Sequence, residues 1–306
     1  MYLIAEFIIT YCMIPSVWFL GFIGCTLGLI VFSRDHMRKI GPITAYRLLF
    51  MSDIVNMIQM YDSFINQLTG ISLNSLNDIG CKLLTYVNYF TLNLSPMLII
   101  YISIEKLVAI KYPSKKYILR KKKYQLLYFF CILFSNMCIY LPSLFMYKSI
   151  EMVVYNDTNL TIYKSVCLYA DSYSQQIISK IYLIDKVVIP FILMTLCSVL
   201  LIISVFKLRQ RIIQNFLNNQ QETNNYKKDI RVAVTSLLLN IIYLVLNAPI
   251  AIVLSLPFYD MIDYMVILLV IYIFYFSYSL NFYLILFSNT LTKKEFFKLF
   301  YCLKKF

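Results

Sequence analysis

An acid and a base stand next to each other where a long apolar run ends. The segment from Tyr86 to Ile104 is mostly apolar, Glu105 and Lys106 follow it directly, and Pro113 comes soon afterwards. A carboxylate can hold a neighbouring ammonium in an ion pair, and loss of that pair would free a point charge on a flexible stem for a partner. We therefore predict that Glu105 and Lys106 form a switch. The alternative is a lysine that only extends its ammonium from apolar surroundings towards water.

Polar side chains also interrupt a second apolar segment. Asp53, Asn56, Gln59 and Asp62 fall within the segment at about 44–66. A polar residue inside a membrane helix is costly, so it usually faces the interior of the helix bundle and is functional.

Catalytic and metal-binding patterns are missing from the sequence. It contains no GxSxG, HExxH or glycine-rich phosphate loop. The single histidine, His36, lies in a basic loop, and no group of residues has the spacing of a metal site. We expect neither an enzyme nor a resident metal.

The composition requires lipid as the solvent. Of the 306 residues, 60% are hydrophobic and 14% are charged, whereas soluble domains have about 25% charged residues. The net charge of +13 could suggest nucleic acid, but the basic residues lie between apolar runs. That distribution is typical of the cytoplasmic loops of a membrane protein.

A membrane-spanning helix needs about 20 mostly apolar residues. The sequence predicts an all-α membrane protein of one domain, residues 1–306, with seven transmembrane helices and a short amphipathic eighth helix. The predicted spans are at about 9–32, 44–66, 79–105, 124–146, 179–206, 230–256 and 263–288.

The distribution of Lys and Arg predicts the orientation. Most of these residues fall in the segments 33–47, 106–123, 207–231 and the tail, and such segments stay in the cytoplasm. We therefore expect the N-terminus outside and the C-terminus inside. Two glycosylation sequons, at Asn156 and Asn159, fall in the predicted outer loop 147–178.

Two of the eight cysteines lie at the predicted outer face, where the compartment is oxidising. Cys81 opens the third span and Cys167 lies in the long outer loop. A disulfide between them is expected; the alternative is two free thiols.

The tail is predicted to form the eighth helix, at about 290–303. Its phenylalanines recur at helical spacing with lysines between them, a pattern typical of a helix lying on an anionic membrane surface. Cys302 is a candidate for lipid attachment, or an unmodified cysteine.

These features together resemble the rhodopsin-like family of G-protein-coupled receptors. In that family the third helix begins with the disulfide cysteine and ends with an Asp/Glu-Arg-Tyr triplet. Here Cys81 leads to Glu105-Lys106-Leu107 at the family's spacing, with Pro113 beyond it. Within the family the chain resembles invertebrate peptide receptors, such as those for FMRFamide-like peptides, more than amine receptors or opsins.

The resemblance extends to the middle of the bundle. Asp53 matches the family's mid-membrane aspartate, Ser95 the serine that helps it hold sodium, and Asn281 the asparagine of the Asn-Pro-x-x-Tyr motif. It implies that Asp53, Ser95, Ser277 and Asn281 converge on a sodium ion, the only cofactor we consider, because oxygen ligands suit a hard cation. The alternative is a polar cluster that packs the helices.

Several family positions carry other residues. Lys106 replaces the triplet arginine, Asn247 replaces the tryptophan before the proline of the sixth helix, and Phe282 replaces the proline after Asn281. Ile285 stands in place of the motif's tyrosine. These changes affect the residues that relay activation in the family.

The resemblance places the ligand in the outer half of the bundle. Asn88 stands where amine receptors carry aspartate, and the seventh span has no lysine for a retinal Schiff base. The predicted pocket residues are Asp62, Tyr86, Asn88, Tyr89, Tyr182, Asp185 and Lys186. A polar, acidic and aromatic entrance would suit a cationic peptide.

The sequence therefore predicts a receptor in the plasma membrane for an extracellular ligand, with a neuropeptide as the favoured class. A heterotrimeric G protein would bind at the cytoplasmic loops. Two alternatives remain open: a chemosensory receptor for small molecules, and a small transporter or channel.

Overall fold

The computed structural model describes residues 8–39, 43–69, 72–75, 77–112, 121–155, 161–215, 220–255 and 263–303. Within these ranges, six helices are long and apolar enough to cross a membrane. They are Ile9–Ser33, Asp78–Lys111, Lys123–Met146, Gln176–Gln210, Ala233–Val253 and Met265–Ser288.

The helices follow one another along the chain with few other elements. The α-helices are α1 (Ile14–Ser33), α2 (Ile43–Thr69), α3 (Asp78–Lys111), α4 (Lys122–Tyr140), α5 (Ser143–Met146), α6 (Ser172–Tyr182), α7 (Ile189–Asn215), α8 (Gln220–Ser255), α9 (Tyr264–Ser288) and α10 (Thr290–Leu303). π-Helical turns precede α1 (Ile8–Met13) and α7 (Leu183–Val188), and 3-10 turns are at Asp35–Lys39 and Leu73–Ser75.

Helix α2 runs through the predicted second span but is too polar to count among the six. It is 27 residues long, packs against α1 and α3, and also contacts α9. Asp53 and Asn56 are fully buried on it. These polar side chains thus face the interior of the bundle, as the sequence predicts for this segment.

A β-hairpin is the element that an all-α prediction leaves out. Strands β1 (Tyr147–Tyr155) and β2 (Thr161–Tyr169) pair antiparallel, with Tyr147 opposite Tyr169 and Ser149 opposite Cys167. Tyr, Val and Ile recur along both segments, and these residues favour strands. We call the end of the bundle that carries this hairpin the outer end, and the end that carries Glu105 the inner end.

Small residues let α1 approach its neighbours closely. A Cβ atom on Gly21 would lie 2.5 Å from Sδ of Met57 on α2 and 2.9 Å from Cβ of Ser279 on α9. A Cβ atom on Gly28 would lie 2.9 Å from the ring of Phe50. Close packing through small residues is a common way for membrane helices to associate, since lipid gives no hydrophobic drive between them.

A proline inside α3 leaves a carbonyl that another helix satisfies. Pro96 has no N–H, so the carbonyl of Leu92, four residues earlier, has no helical donor. The hydroxyl of Tyr278 on α9 donates to this oxygen at 3.1 Å, and Tyr278 is fully buried. The bond ties α9 to α3 at the point where the backbone of α3 is interrupted.

A second proline accompanies a change of helix type before α7. Pro190 cannot donate to the carbonyl of Lys186, and the preceding turn Leu183–Val188 is π-helical. The N–H of Ile189 donates to the carbonyl of Ile184, one residue further back than in an α-helix. Such π turns are rare and frequently occur at functional sites.

The bond between Tyr278 and Leu92 gives a first prediction. Tyr278→Phe should cost about 1–3 kcal/mol in stability, because it leaves a buried carbonyl without a donor. In a Pro96→Ala background the restored N–H supplies the helical bond, so Tyr278→Phe should then cost clearly less. Thermal unfolding of the detergent-solubilised wild type, both single variants and the double variant measures this coupling. Equal costs of Tyr278→Phe in the two backgrounds would contradict it.

Candidate functional site

A buried carboxylate joins three helices in the middle of the bundle. Asp53 on α2 accepts from Ser95 Oγ on α3 at 2.6 Å and from Asn281 Nδ2 on α9 at 2.9 Å. Both donors are buried, and Asp53 is fully so. The structure therefore brings together three of the four residues predicted for the polar core.

Ser277, the fourth predicted residue, makes its hydrogen bonds elsewhere. Its hydroxyl donates to the carbonyl of Phe274 at 2.7 Å and accepts from Asn247 Nδ2 at 3.3 Å. On the same side of α2 as Asp53, the amide of Asn56 is buried and has no hydrogen-bond partner among the described residues. The described residues contain no group of three or more His, Cys, Asp or Glu side chains that could hold a metal ion.

The predicted switch residues are in contact at the inner end of α3. Lys106 Nζ lies 2.9 Å from Glu105 Oε2, and the two side chains are 6% and 1% exposed. Removing one partner of such a pair is costly, because it leaves a buried charge uncompensated. Pro113 lies outside the described residues.

A polar cluster that the sequence did not indicate lies one turn above this pair. Ser103 Oγ donates to Asn240 Oδ1 at 2.9 Å and lies 2.9 Å from Ser236 Oγ, both on α8. Asn240 Nδ2 donates to Ser198 Oγ on α7 at 3.2 Å. All four residues are buried, so α3, α7 and α8 are joined by polar contacts near their inner ends. The four-residue spacing of Ser236 and Asn240 on one helix face was the only sequence signal.

Helix α10 is fixed to the first helix through a carboxylate. Glu295 Oε2 lies 3.5 Å from Arg34 Nη1, which also donates to the Glu295 carbonyl at 3.1 Å. Lys298 Nζ donates to Glu295 Oε1 at 2.7 Å, and this hydrogen bond holds the pKa of Glu295 below its usual value. Cys302 lies within α10, and its side chain is outside the described part.

The disulfide Cys81–Cys167 ties the hairpin to the outer end of α3. Tyr89 adds a second attachment: its hydroxyl lies 2.6 Å from that of Tyr147 on β1. Its ring also stacks on Tyr140 of α4 at 5.8 Å and meets the edge of Tyr182 at 5.5 Å. Aromatic pairs at these distances are favourable, so the base of the hairpin rests on a cluster of tyrosine rings.

The outer acidic side chains bind parts of the protein itself. Asp62 accepts from Ser72 Oγ at 2.7 Å and from the backbone N–H of Leu73 at 2.9 Å. Asp263 caps α9 by accepting from the N–H of Met265 at 2.9 Å. Asp171 accepts from the N–H of Ser174 at 2.6 Å, and this bond lowers the pKa of Asp171. These acids cap turns and helices.

Asp185 also has protein partners, in a network that the sequence did not predict. Its Oδ2 accepts from Asn93 Nδ2 at 2.6 Å and from the Tyr140 hydroxyl at 2.8 Å. Asn93 Nδ2 also donates to Asn136 Oδ1 at 2.6 Å. The network joins α3, α4 and the π turn. In the sequence, Asn93 is marked only by the sequon Asn93-Leu94-Ser95, which lies within the predicted third span.

Lys186, next in the chain, points into a different environment. Its ammonium lies 2.5 Å from the Tyr182 hydroxyl and over the faces of the Tyr182 and Phe274 rings, at 4.3 and 4.2 Å from their centroids. Lys186 is 3% exposed, and no ion pair to it is formed by the described residues.

A narrow pocket adjoins Lys186 between the π turn, α7, α8 and α9. It has room for about one water molecule as it stands. Its walls are mostly apolar and aromatic, and they are formed by Tyr182, Lys186, Val187, Phe191, Tyr243, Leu244, Asn247, Ile250 and Phe274.

Two other predicted pocket residues, Tyr86 and Asn88, lie on α3 and are not among the residues that form this pocket. Tyr86 stacks on Phe90 at 6.3 Å, and the side-chain oxygen of Asn88 is buried without a hydrogen-bond partner among the described residues. The sequons at Asn156 and Asn159 lie outside the described residues.

The disulfide gives a second prediction, for cell-surface display. Cys81→Ser and Cys167→Ser should each reduce display by a similar factor, because either change removes the same bond, and such bonds typically contribute 2–5 kcal/mol. The double variant should be no worse than either single variant. Flow cytometry of an epitope-tagged chain measures display, and Cys12→Ser, which removes an exposed free cysteine, is the matched control. Additive damage in the double variant would contradict a shared bond.

Comparison with known proteins agrees with the architecture. Residues 29–304 match the family described as 7 transmembrane receptor (rhodopsin family). No curated protein is similar enough in sequence to be called a relative. The family is a non-enzymatic receptor family whose members work in the plasma membrane with an extracellular ligand and a heterotrimeric G protein. Because the match covers nearly the whole chain, this protein belongs to the rhodopsin-like family of seven-transmembrane, G-protein-coupled receptors.

Proposed function

We propose that this receptor is a neuropeptide receptor that resembles those for FMRFamide-like peptides. The observation that carries the signalling part of this proposal is the buried Glu105–Lys106 pair at the inner end of α3. Ligand binding would favour a conformation in which the pair opens and Lys106 faces the G protein. A ligand shifts such an equilibrium only by its difference in affinity for the two conformations.

The outer end supports a ligand larger than an amine. A hairpin of two nine-residue strands, held by Cys81–Cys167 and Tyr89, offers an extended surface beside the helices. Asn88 lacks the charge that would pair with an amine. Helix α9 has no lysine, so it cannot form a Schiff base with retinal.

A receptor for small molecules is the second candidate function. The narrow pocket beside Lys186 favours it, because its walls are mostly apolar and aromatic with a few polar groups, as the walls of small-molecule sites usually are. The transporter or channel alternative loses its support through the family assignment.

Four further assignments belong to the same proposal. The N-terminus is extracellular and the C-terminus cytoplasmic, with α2 as the seventh crossing helix. Asn156 and Asn159 carry sugar, and Cys302 on a membrane-lying α10 carries a lipid chain. Asp53, Ser95, Ser277 and Asn281 offer hydroxyl, amide and carboxylate oxygens of the kind that suits a sodium ion; of these, Ser95 and Asn281 already contact Asp53.

The switch role of Lys106 is tested with a neuropeptide library. Cells that display the wild type should give a calcium or cAMP response to at least one library member, and Lys106→Ala should reduce that response at least tenfold at equal display. Lys106→Arg should retain it, because the charge remains. Lys180→Ala, at an exposed lysine on α6 outside the segments predicted to be cytoplasmic, is the control and should respond like wild type.

Two results would count against this assignment. A full response of Lys106→Ala would remove Lys106 from the coupling mechanism. A wild type that is displayed but answers no peptide would contradict the neuropeptide class and favour the small-molecule candidate.

The orientation is tested separately in intact cells. An epitope tag at Met1 should be accessible to antibody without permeabilisation, and a tag at Phe306 only after it, because the basic segments stay in the cytoplasm. Treatment with a glycosidase should lower the apparent mass of the wild type but leave an Asn156→Gln, Asn159→Gln variant unchanged. Both tags on the same face would contradict an odd number of crossings.

A further inference from the structure

The charges of the outer half are unevenly matched. Asp62, Asp171 and Asp185 each accept hydrogen bonds from the protein itself. Lys186 has a hydroxyl and two ring faces around its ammonium, and the described residues supply no acid for it. These carboxylates therefore have hydrogen-bond donors within the fold, whereas the ammonium of Lys186 has no carboxylate partner among the described residues.

We propose that Lys186 binds a carboxylate of the ligand, so that this site takes an amphipathic organic acid and not a cation. The inference rests on the proposed function only in placing the ligand at the outer half of the bundle. It reverses the cationic ligand that the acidic residues of the sequence suggested, because those acids already have partners.

The surroundings of Lys186 fit an anion with an apolar body. The ammonium lies at the wall of a pocket whose other sides include Phe274, Ile250 and Phe191. Phe191, one of these side chains, is 43% exposed. The pocket as it stands holds about one water molecule, so a ligand whose carboxylate meets Lys186 would have to move these side chains apart, and its apolar part would then be buried against them, which is favourable.

Energetics distinguish this role from a structural one. A buried ammonium without an acid partner costs free energy, and contact with two rings offsets only part of that cost. A residue kept for the fold would be expected to have a counter-ion, as Lys106 does in Glu105. The π turn that carries Lys186 is a further feature common at functional sites.

The first experiment measures binding without a G protein. Thermal unfolding of the detergent-solubilised receptor is followed with octanoate and 3-phenylpropionate, with tripeptides ending in phenylalanine as free acids, and with the methyl esters and amides of the same compounds. At least one free acid should raise the unfolding temperature of wild type by about 2 °C or more, and its neutral analogue should not. Lys186→Gln should abolish this shift, whereas Lys186→Arg should keep it.

Control variants separate the site from general effects of charge. Lys180→Gln removes an exposed lysine on α6 and should leave the shift unchanged. Without any ligand, Lys186→Gln should unfold at the wild-type temperature or above it, because glutamine keeps a donor for Tyr182 and removes the buried charge. A preference for the small acids or for the peptide acids identifies the source of the carboxylate.

The proposal is overturned by any of three results. These are a lower unfolding temperature of ligand-free Lys186→Gln, stabilisation by neutral or cationic compounds equal to that by the acids, and no stabilisation by any acid. If acids stabilise wild type through Lys186 but evoke no G-protein signal in cells, the carboxylate site stands and the signalling proposal fails.

Discussion

The hydrogen bonds of Asp53 set the constraint on which the rest of the bundle depends. The hydrocarbon core of a membrane offers no donors or acceptors, so a buried polar group without a partner inside the protein is costly. Asp53 meets this requirement by joining α2 to Ser95 on α3 and to Asn281 on α9. Once these helices are fixed, Tyr278 on α9 lies where it can donate to the carbonyl that Pro96 leaves open on α3.

Buried polar side chains also find partners at the two ends of the bundle, but the kind of partner differs. At the inner end, Ser103 and Asn240 join α3 to α8, and Glu105 holds Lys106. These contacts are side chain to side chain, so they can be exchanged for others without unfolding a helix. At the outer end, Asp62 and Asp263 hold backbone N–H groups of turns and caps, which fixes the frame around the pocket.

The sequence predicts the helices well because apolar length is a local property. It also predicts the Cys81–Cys167 disulfide, since these two cysteines fall at the predicted outer face, where an oxidising compartment is expected. It does not reveal the partners of polar side chains, because these depend on which helices are neighbours. Asp62 and Asp185 looked like ligand contacts, yet each has partners within the protein. The hairpin is not predicted, because its two strands lie in the outer loop 147–178, outside the long apolar runs from which the helices are predicted.

Two residues that differ from the family pattern make their own contacts within the bundle. Asn247, in place of tryptophan, donates to the Tyr243 carbonyl at 2.7 Å and to Ser277 at 3.3 Å. Phe282, in place of proline, is fully buried between Phe50 and Phe296. Helix α9 runs from Tyr264 to Ser288 and contains no proline. It therefore has no proline kink at Phe282, and we expect rearrangement on activation to use α3, α7 and α8, which carry Pro96, Pro190 and Pro249.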